Sequence, residues 1–201
     1  MQALAEQFLT EEEYWALEEI SPIKHEYFDG RLYAMAGGSR QHALLAANTI
    51  IALGNQLRGK PCRAVGSDQR VKIEESGLNT YPDVVVYCAD ARFDPRHRDT
   101  LLDAVVILEV LSPSTENYDR TDKFDHYKRI GALRDYLLIE PRRLRVEHFH
   151  RAQNGDWIVR IADSMESALA LDSIGGVLAL RDVYDGVEFD TLPLRPPTPE
   201  E

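Results

Sequence analysis

Ala104-Val105-Val106-Ile107-Leu108-Glu109-Val110-Leu111-Ser112 is apolar from Ala104 to Leu111 except for one carboxylate, and it predicts a central β-strand. An unpaired charge buried in such a strand costs several kcal/mol. Glu109 therefore calls for a cation, a hydrogen-bonding partner or a water-filled opening. A second apolar run, Tyr81-Pro82-Asp83-Val84-Val85-Val86-Tyr87, carries another carboxylate at its start. Adjacent pairing of the two strands would bring Asp83 and Glu109 to one end of a sheet.

Outward from these strands, Asp135-Tyr136-Leu137-Leu138-Ile139 predicts a further strand, suited to lie parallel to the Glu109 strand. Between them, a helix is expected over about 119–130, with Lys123, Phe124, Tyr127 and Ile130 sharing a sheet-facing side and Gly131 ending it. Short strands are expected around 63–65 and 70–73. Residues 145–150 and 157–161 alternate as antiparallel strands joined through Asn154-Gly155. Toward the N-terminus, Thr10-Glu11-Glu12-Glu13 reads as a capping box opening a helix whose apolar side is Tyr14, Leu17 and Ile20. Two strands about Asp29-Gly30 follow. Gly37-Gly38-Ser39 then precedes a helix over about 40–57, with His42, Leu45, Ala46, Thr49, Leu53 and Leu57 in one stripe. A last short helix is expected over 178–184, and the long polar segment 88–103 is expected to be irregular. The fold class is thus α/β, with a mixed sheet flanked by helices.

The length of 201 residues and the lack of an internal linker rich in Pro, Gly or Ser predict one domain over 1–191, followed by a Pro-rich tail over 192–201. No apolar run approaches the roughly 20 residues of a membrane span, and residues 1–7 lack the pattern of a secretory signal. A cytoplasmic protein is expected. Cys62 and Cys88 have neither CxxC spacing nor disulfide-scaffold density, so both read as free thiols of a reducing compartment. The formal net charge of −11 argues against coating nucleic acid by bulk electrostatics, so any such contact must be local. Residues 140–151 are the densest basic segment, with Arg142, Arg143, Arg145 and Arg151 against Glu140 and Glu147.

Hard carboxylate ligands such as Asp83 and Glu109 suit Mg²⁺ or Mn²⁺, which retain waters and accept phosphate oxygens. Lys123, one turn before Tyr127 on the following helix, is placed to return its ammonium toward them and stabilise charge on a phosphate. Its structural alternative is a lysine snorkelling at the edge of the helix face.

Tyr81-Pro82-Asp83, Leu108-Glu109-Val110-Leu111-Ser112-Pro113-Ser114-Thr115 and Asp119-Arg120-Thr121-Asp122-Lys123-Phe124, with their spacing, resemble the Uma-type endonuclease family of the restriction-endonuclease-like PD-(D/E)XK superfamily. The resemblance extends from about residue 10 to 184 and includes Glu26-Tyr27-Phe28-Asp29-Gly30 and Met35-Ala36-Gly37-Gly38-Ser39 followed by His42. It implies a restriction-endonuclease-like fold, with Asp83 and Glu109 as metal ligands and the Val110 carbonyl as a third. Glu26 matches an acidic position near the site and is expected to complete the metal environment; Gln69 is expected to border the same cleft. The pattern departs at Leu111, where the lysine of D/E-x-K would stand, and Lys123 is the expected replacement. Histidines on helix faces are more often packing residues than ligands or bases, so His42 stays outside the catalytic set.

Two functions follow. One is a Mg²⁺- or Mn²⁺-dependent endonuclease hydrolysing DNA, with Asp83, Glu109 and Lys123 as its catalytic residues. The other is a catalytically inactive nuclease-fold binding or assembly module acting as a homodimer, which Leu111 and the acidic net charge favour. They separate on whether Asp83, Glu109 and Lys123 converge.

Overall fold

The strand around Glu109 is central because its neighbours have no polar side chains to present to water, and both of its faces are covered. The computed structural model describes residues 8–35 and 37–189. In chain order the elements are α1 (Glu11–Ile20), β1 (His25–Phe28), β2 (Arg31–Ala34), α2 (Arg40–Gln56), β3 (Arg63–Gly66), β4 (Arg70–Ile73), β5 (Leu78–Thr80), β6 (Val84–Tyr87), β7 (Thr100–Leu101) and β8 (Val106–Val110). They continue with α3 (Glu116–Arg120), α4 (Asp122–Tyr127), β9 (Asp135–Ile139), β10 (Val146–Arg151), β11 (Trp157–Ala162), β12 (Ala168–Leu171), β13 (Gly176–Ala179) and α5 (Leu180–Val183).

The main sheet runs β11-β10-β9-β8-β6-β3. Its β8–β9 pair is parallel, connected through α3 and α4, and its other pairs are antiparallel. A second sheet runs β2-β1-β5-β4-β7, and β12 and β13 form a separate hairpin. The result is a mixed α/β fold. Strand alternation divides the core: Val84, Val86, Leu108, Val110 and Leu137 pack with Leu45 and Leu53 of α2 and with Leu178. Val85, Ile107, Leu111 and Leu138 pack on the other side with Phe124, Tyr127 and Ile130, and with Val71 and Ile73 of the second sheet.

The capping box forms as expected, with Thr10 Oγ1 accepting from Glu13 N and the Glu13 carboxylate accepting from Thr10 N. The apolar side of α1 differs, because Ile20 is exposed while Trp15 is buried with Tyr14 and Tyr27. The helix expected over 119–130 is two short helices. Thr121 leaves helical geometry at φ −122° and ψ −96°, and its hydroxyl donates to Asn117 O. Strands β5 and β7 are too short for alternation to reveal, and the second interrupts the segment expected to be irregular. Leu178 belongs to β13, opposite Leu169, so the last helix starts at Leu180.

The cysteines require a correction. Antiparallel pairing of Arg63 with Tyr87 brings the preceding Cys62 against the following Cys88, and the two are joined in a disulfide. Their separation of 26 residues hides this proximity in the sequence. The Pro-rich tail expected over 192–201 lies outside the described residues. No helix among those described is long and apolar enough to cross a membrane.

Candidate active site

The antiparallel β6–β8 register pairs Val84 with Leu108, which sets Asp83 beside Glu109 at one end of the main sheet. The two residues interlock through the backbone: Asp83 N donates to Glu109 Oε2 at 3.2 Å, and Val110 N donates to Asp83 Oδ2 at 2.8 Å. Glu109 is 4% exposed even though it faces a cleft of about 930 Å³. Glu26, Asp83, Val110, Asp119 and Lys123 also line that cleft.

Lys123 enters from α4. Its Nζ lies 2.9 Å from Glu109 Oε1, 3.0 Å from Glu26 Oε1 and 3.6 Å from Asp119 Oδ1. Tyr127, one helical turn further, donates its hydroxyl to Glu109 Oε1 at 2.7 Å. Leu111, on the Glu109 side of β8, is 1% exposed and packs in the apolar cluster with Phe124 and Tyr127. The helix therefore brings an ammonium to Glu109, and the strand position two residues beyond serves the core.

His42 joins this cluster. Ser39 caps α2, accepting from His42 N, and the first turn carries the imidazole to 3.1 Å from Asp83 Oδ2. Gly38 makes room for it, since a Cβ at that position would lie 2.6 Å from the ring. Burial alone would lower the His42 pKa, but the hydrogen bond to Asp83 and the nearby carboxylate charges raise it. Sequence reasoning also left out Asp119 and the hydroxyl of Tyr127. The i, i+4 spacings of Asp119, Lys123 and Tyr127 were the available signal. Gln69 lies elsewhere, donating to the carbonyls of Arg70 and Asp99, and does not border the cleft.

Charge at this site is unbalanced. Four carboxylates, from Glu26, Asp83, Glu109 and Asp119, share Lys123 and His42. Desolvation pushes the Glu109 carboxyl up to about 8 despite the pull of Lys123, with Asp83 and Asp119 adding repulsion. Desolvation likewise raises Asp119. Burial alone would lower Lys123, but Glu109, Glu26 and Asp119 hold it well above the ordinary lysine range, so it remains an ammonium ion. Glu26 Oε1 is engaged by Thr80 and Lys123, while its Oε2 is buried without a hydrogen-bond partner among the described residues. This surplus of hard oxygen donors and this orphaned oxygen fit a divalent cation. Through Oε1, Glu26 also anchors Lys123.

The basic segment 140–151 is largely paired. Arg142 contacts Glu140 and Glu116, and Arg145 contacts Glu147. Arg142 borders the cleft.

Residues 11–180 match the Uma2 family, described as "Putative restriction endonuclease". The chain belongs to this family. Two proteins of Synechocystis are similar to it. The uncharacterized protein slr1290 is 38% identical over 184 residues, covering 90% of this chain and 94% of that one. The uncharacterized protein sll1609 is 32% identical over 151 residues, covering 75% and 85%. The crystal structure of a "putative nuclease" from Anabaena variabilis matches 90% of this chain and 99% of its own, with a TM-score of 0.73 at 16% identity. That likeness shows a shared fold with the Uma2 chain.

Proposed function

We propose that this Uma2 chain is a Mg²⁺- or Mn²⁺-dependent endonuclease that hydrolyses DNA phosphodiester bonds at the cleft holding Asp83, Glu109 and Lys123. The observation that carries this reading is the 2.9 Å contact of Lys123 Nζ with Glu109 beside an excess of carboxylates. Asp83 and Glu109, with the Val110 carbonyl, are the residues to hold the cation, and Glu26 completes its surroundings through the unengaged Oε2. When bound there, a divalent ion supplies Lewis acidity toward a phosphoryl oxygen and lowers the pKa of a coordinated water. Asp83 keeps its orientation through Val110 N and His42, both on Oδ2. Lys123, held by Glu109 and Glu26, offers its ammonium to a nucleophilic water or to charge developing on the phosphate. Tyr127 fixes the Glu109 carboxylate from the core side.

A cytoplasmic setting, expected from the sequence, is part of this proposal. The Cys62–Cys88 bridge removes the thiol argument for that placement. A second reading, an inactive binding or assembly module working as a homodimer, is favoured by the burial of Leu111 where the superfamily lysine is expected. The deciding experiment incubates purified protein with single-stranded, double-stranded and branched DNA, with Mg²⁺ or Mn²⁺ and with chelator. The nuclease reading predicts cation-dependent cleavage of at least one substrate. Intact DNA throughout, with sedimentation as a dimer, supports the module.

A further inference from the structure

On the other face of the main sheet, Asp135 is fully buried at the start of β9. Its register partner on β8 is Val106, whereas Glu109 pairs with Leu138 toward the opposite end of the ladder. Asp135 Oδ1 lies 2.7 Å from His148 Nε2 and 2.8 Å from His150 Nδ1. Ser173 Oγ donates to Asp135 Oδ2 at 2.5 Å. Among the described residues, these three are a group whose ligand atoms all lie within 4.8 Å of one another. We propose that Asp135, His148 and His150 form a second metal site, selective for Zn²⁺ or a similar transition-metal ion and separate from the nuclease centre.

Three features support this assignment. Alternation on β10 puts His148 and His150 on one face, so an H-x-H spacing supplies two imidazoles at one point without a turn. Asp135 has no Lys or Arg ion-pair partner among the described residues, so its buried charge is faced by two rings and a hydroxyl alone. His148 is fully buried and, among the described residues, its Nδ1 has no partner, so the cluster anchors the ring through Nε2. Imidazole nitrogens favour Zn²⁺, Co²⁺ or Ni²⁺ over Mg²⁺. Three protein ligands with a fourth, open position make a familiar zinc arrangement, and the His150 side chain, 26% exposed, gives water and metal access. Ser173 acts as a positioning residue, holding the carboxylate oxygen opposite the proposed metal. On binding, each neutral imidazole presents a nitrogen lone pair to the metal and carries its proton on the other nitrogen.

The test uses the full chain, stripped by chelator and titrated with Co²⁺ while visible absorption is recorded. The expected result is the intense spectrum of four-coordinate Co²⁺, saturating at one equivalent and bleached by Zn²⁺ but not by Mg²⁺. His150→Gln, at the partly exposed ligand, should weaken Co²⁺ binding at least tenfold, and Ser173→Ala should weaken it about tenfold. Asp83→Asn should retain the spectrum, which separates this site from the nuclease centre. A pale six-coordinate spectrum in the unaltered protein would overturn the proposal, as would equal Co²⁺ affinity in a folded His150→Gln variant.

Discussion

Glu109 and Asp135 lie on adjacent parallel strands, are 4% and 0% exposed, and have opposite acid–base behaviour. Desolvation raises Glu109 to about 8. Desolvation also acts to raise Asp135, but hydrogen bonds from His148, Ser173 and His150 outweigh it, so its carboxyl lies below the ordinary range. Burial is common to both. The difference comes from the surrounding charge: each carboxylate receives three donors, but Glu109 shares Lys123 with two further acids and is repelled by Asp83 and Asp119, whereas Asp135 has its donors to itself. A buried acid crowded by other carboxylates beside an open cleft is suited to recruit a hard cation. One encircled by imidazole and hydroxyl donors is stable as the anion and suited to a softer ion.

The largest expected effect is at the shared cation. Lys123→Met leaves Glu109, Glu26 and Asp119 without their ammonium and should destabilise the fold by about 3–5 kcal/mol in urea unfolding. DNA cleavage should fall about 100-fold or more. An unchanged unfolding midpoint would mean that these acids do not depend on Lys123, and the contrast with Asp135 would collapse.

The pH dependence of the metal-free protein should separate the two carboxylates next. Glu109 binds its proton more tightly folded than unfolded, so its contribution is fully present below the ordinary value of 4.5 and is lost as pH rises through about 8. Across that window the slope approaches about 1.4 kcal/mol per pH unit. Asp135 has the opposite sign, with stability present above the ordinary 3.8 and lost as pH falls through its lowered folded value. Glu109→Gln should flatten the loss between pH 4.5 and 8, and Asp135→Asn should flatten the acid limb. The same slope in both variants would erase the distinction.

The smallest effect concerns His42, which touches Asp83 from outside the lysine network. His42→Gln should slow cleavage by about tenfold through looser placement of Asp83. A weakening of Mn²⁺ affinity should accompany it. A rate loss with full Mn²⁺ affinity would instead place His42 at the substrate.

Much of this contrast was legible in the sequence on one side and hidden on the other. Glu109 stood out because a charge interrupts an apolar strand, and the β6–β8 pairing followed from two strong runs with acids at matching ends. Lys123 was legible from helical spacing, although the break at Thr121 was not, because a single residue's dihedral angles leave little trace in periodicity. His42 was visible but ambiguous: only the turn at Gly38-Ser39 determines that its ring reaches Asp83. Asp135, His148 and His150 went unread because their meeting depends on the β9–β10 register, and an acid at the start of a strand looks like a turn residue. The Cys62–Cys88 bridge was missed for the same reason, since it depends on which strands become neighbours.

The nuclease centre is tested by Mn²⁺ binding, followed by electron paramagnetic resonance, alongside DNA cleavage in the unaltered chain and in Glu109→Ala. The unaltered chain is expected to bind Mn²⁺ at the cleft and cut DNA, and Glu109→Ala is expected to lose both together. A folded Glu109→Ala variant that cuts DNA at the full rate would contradict that expectation.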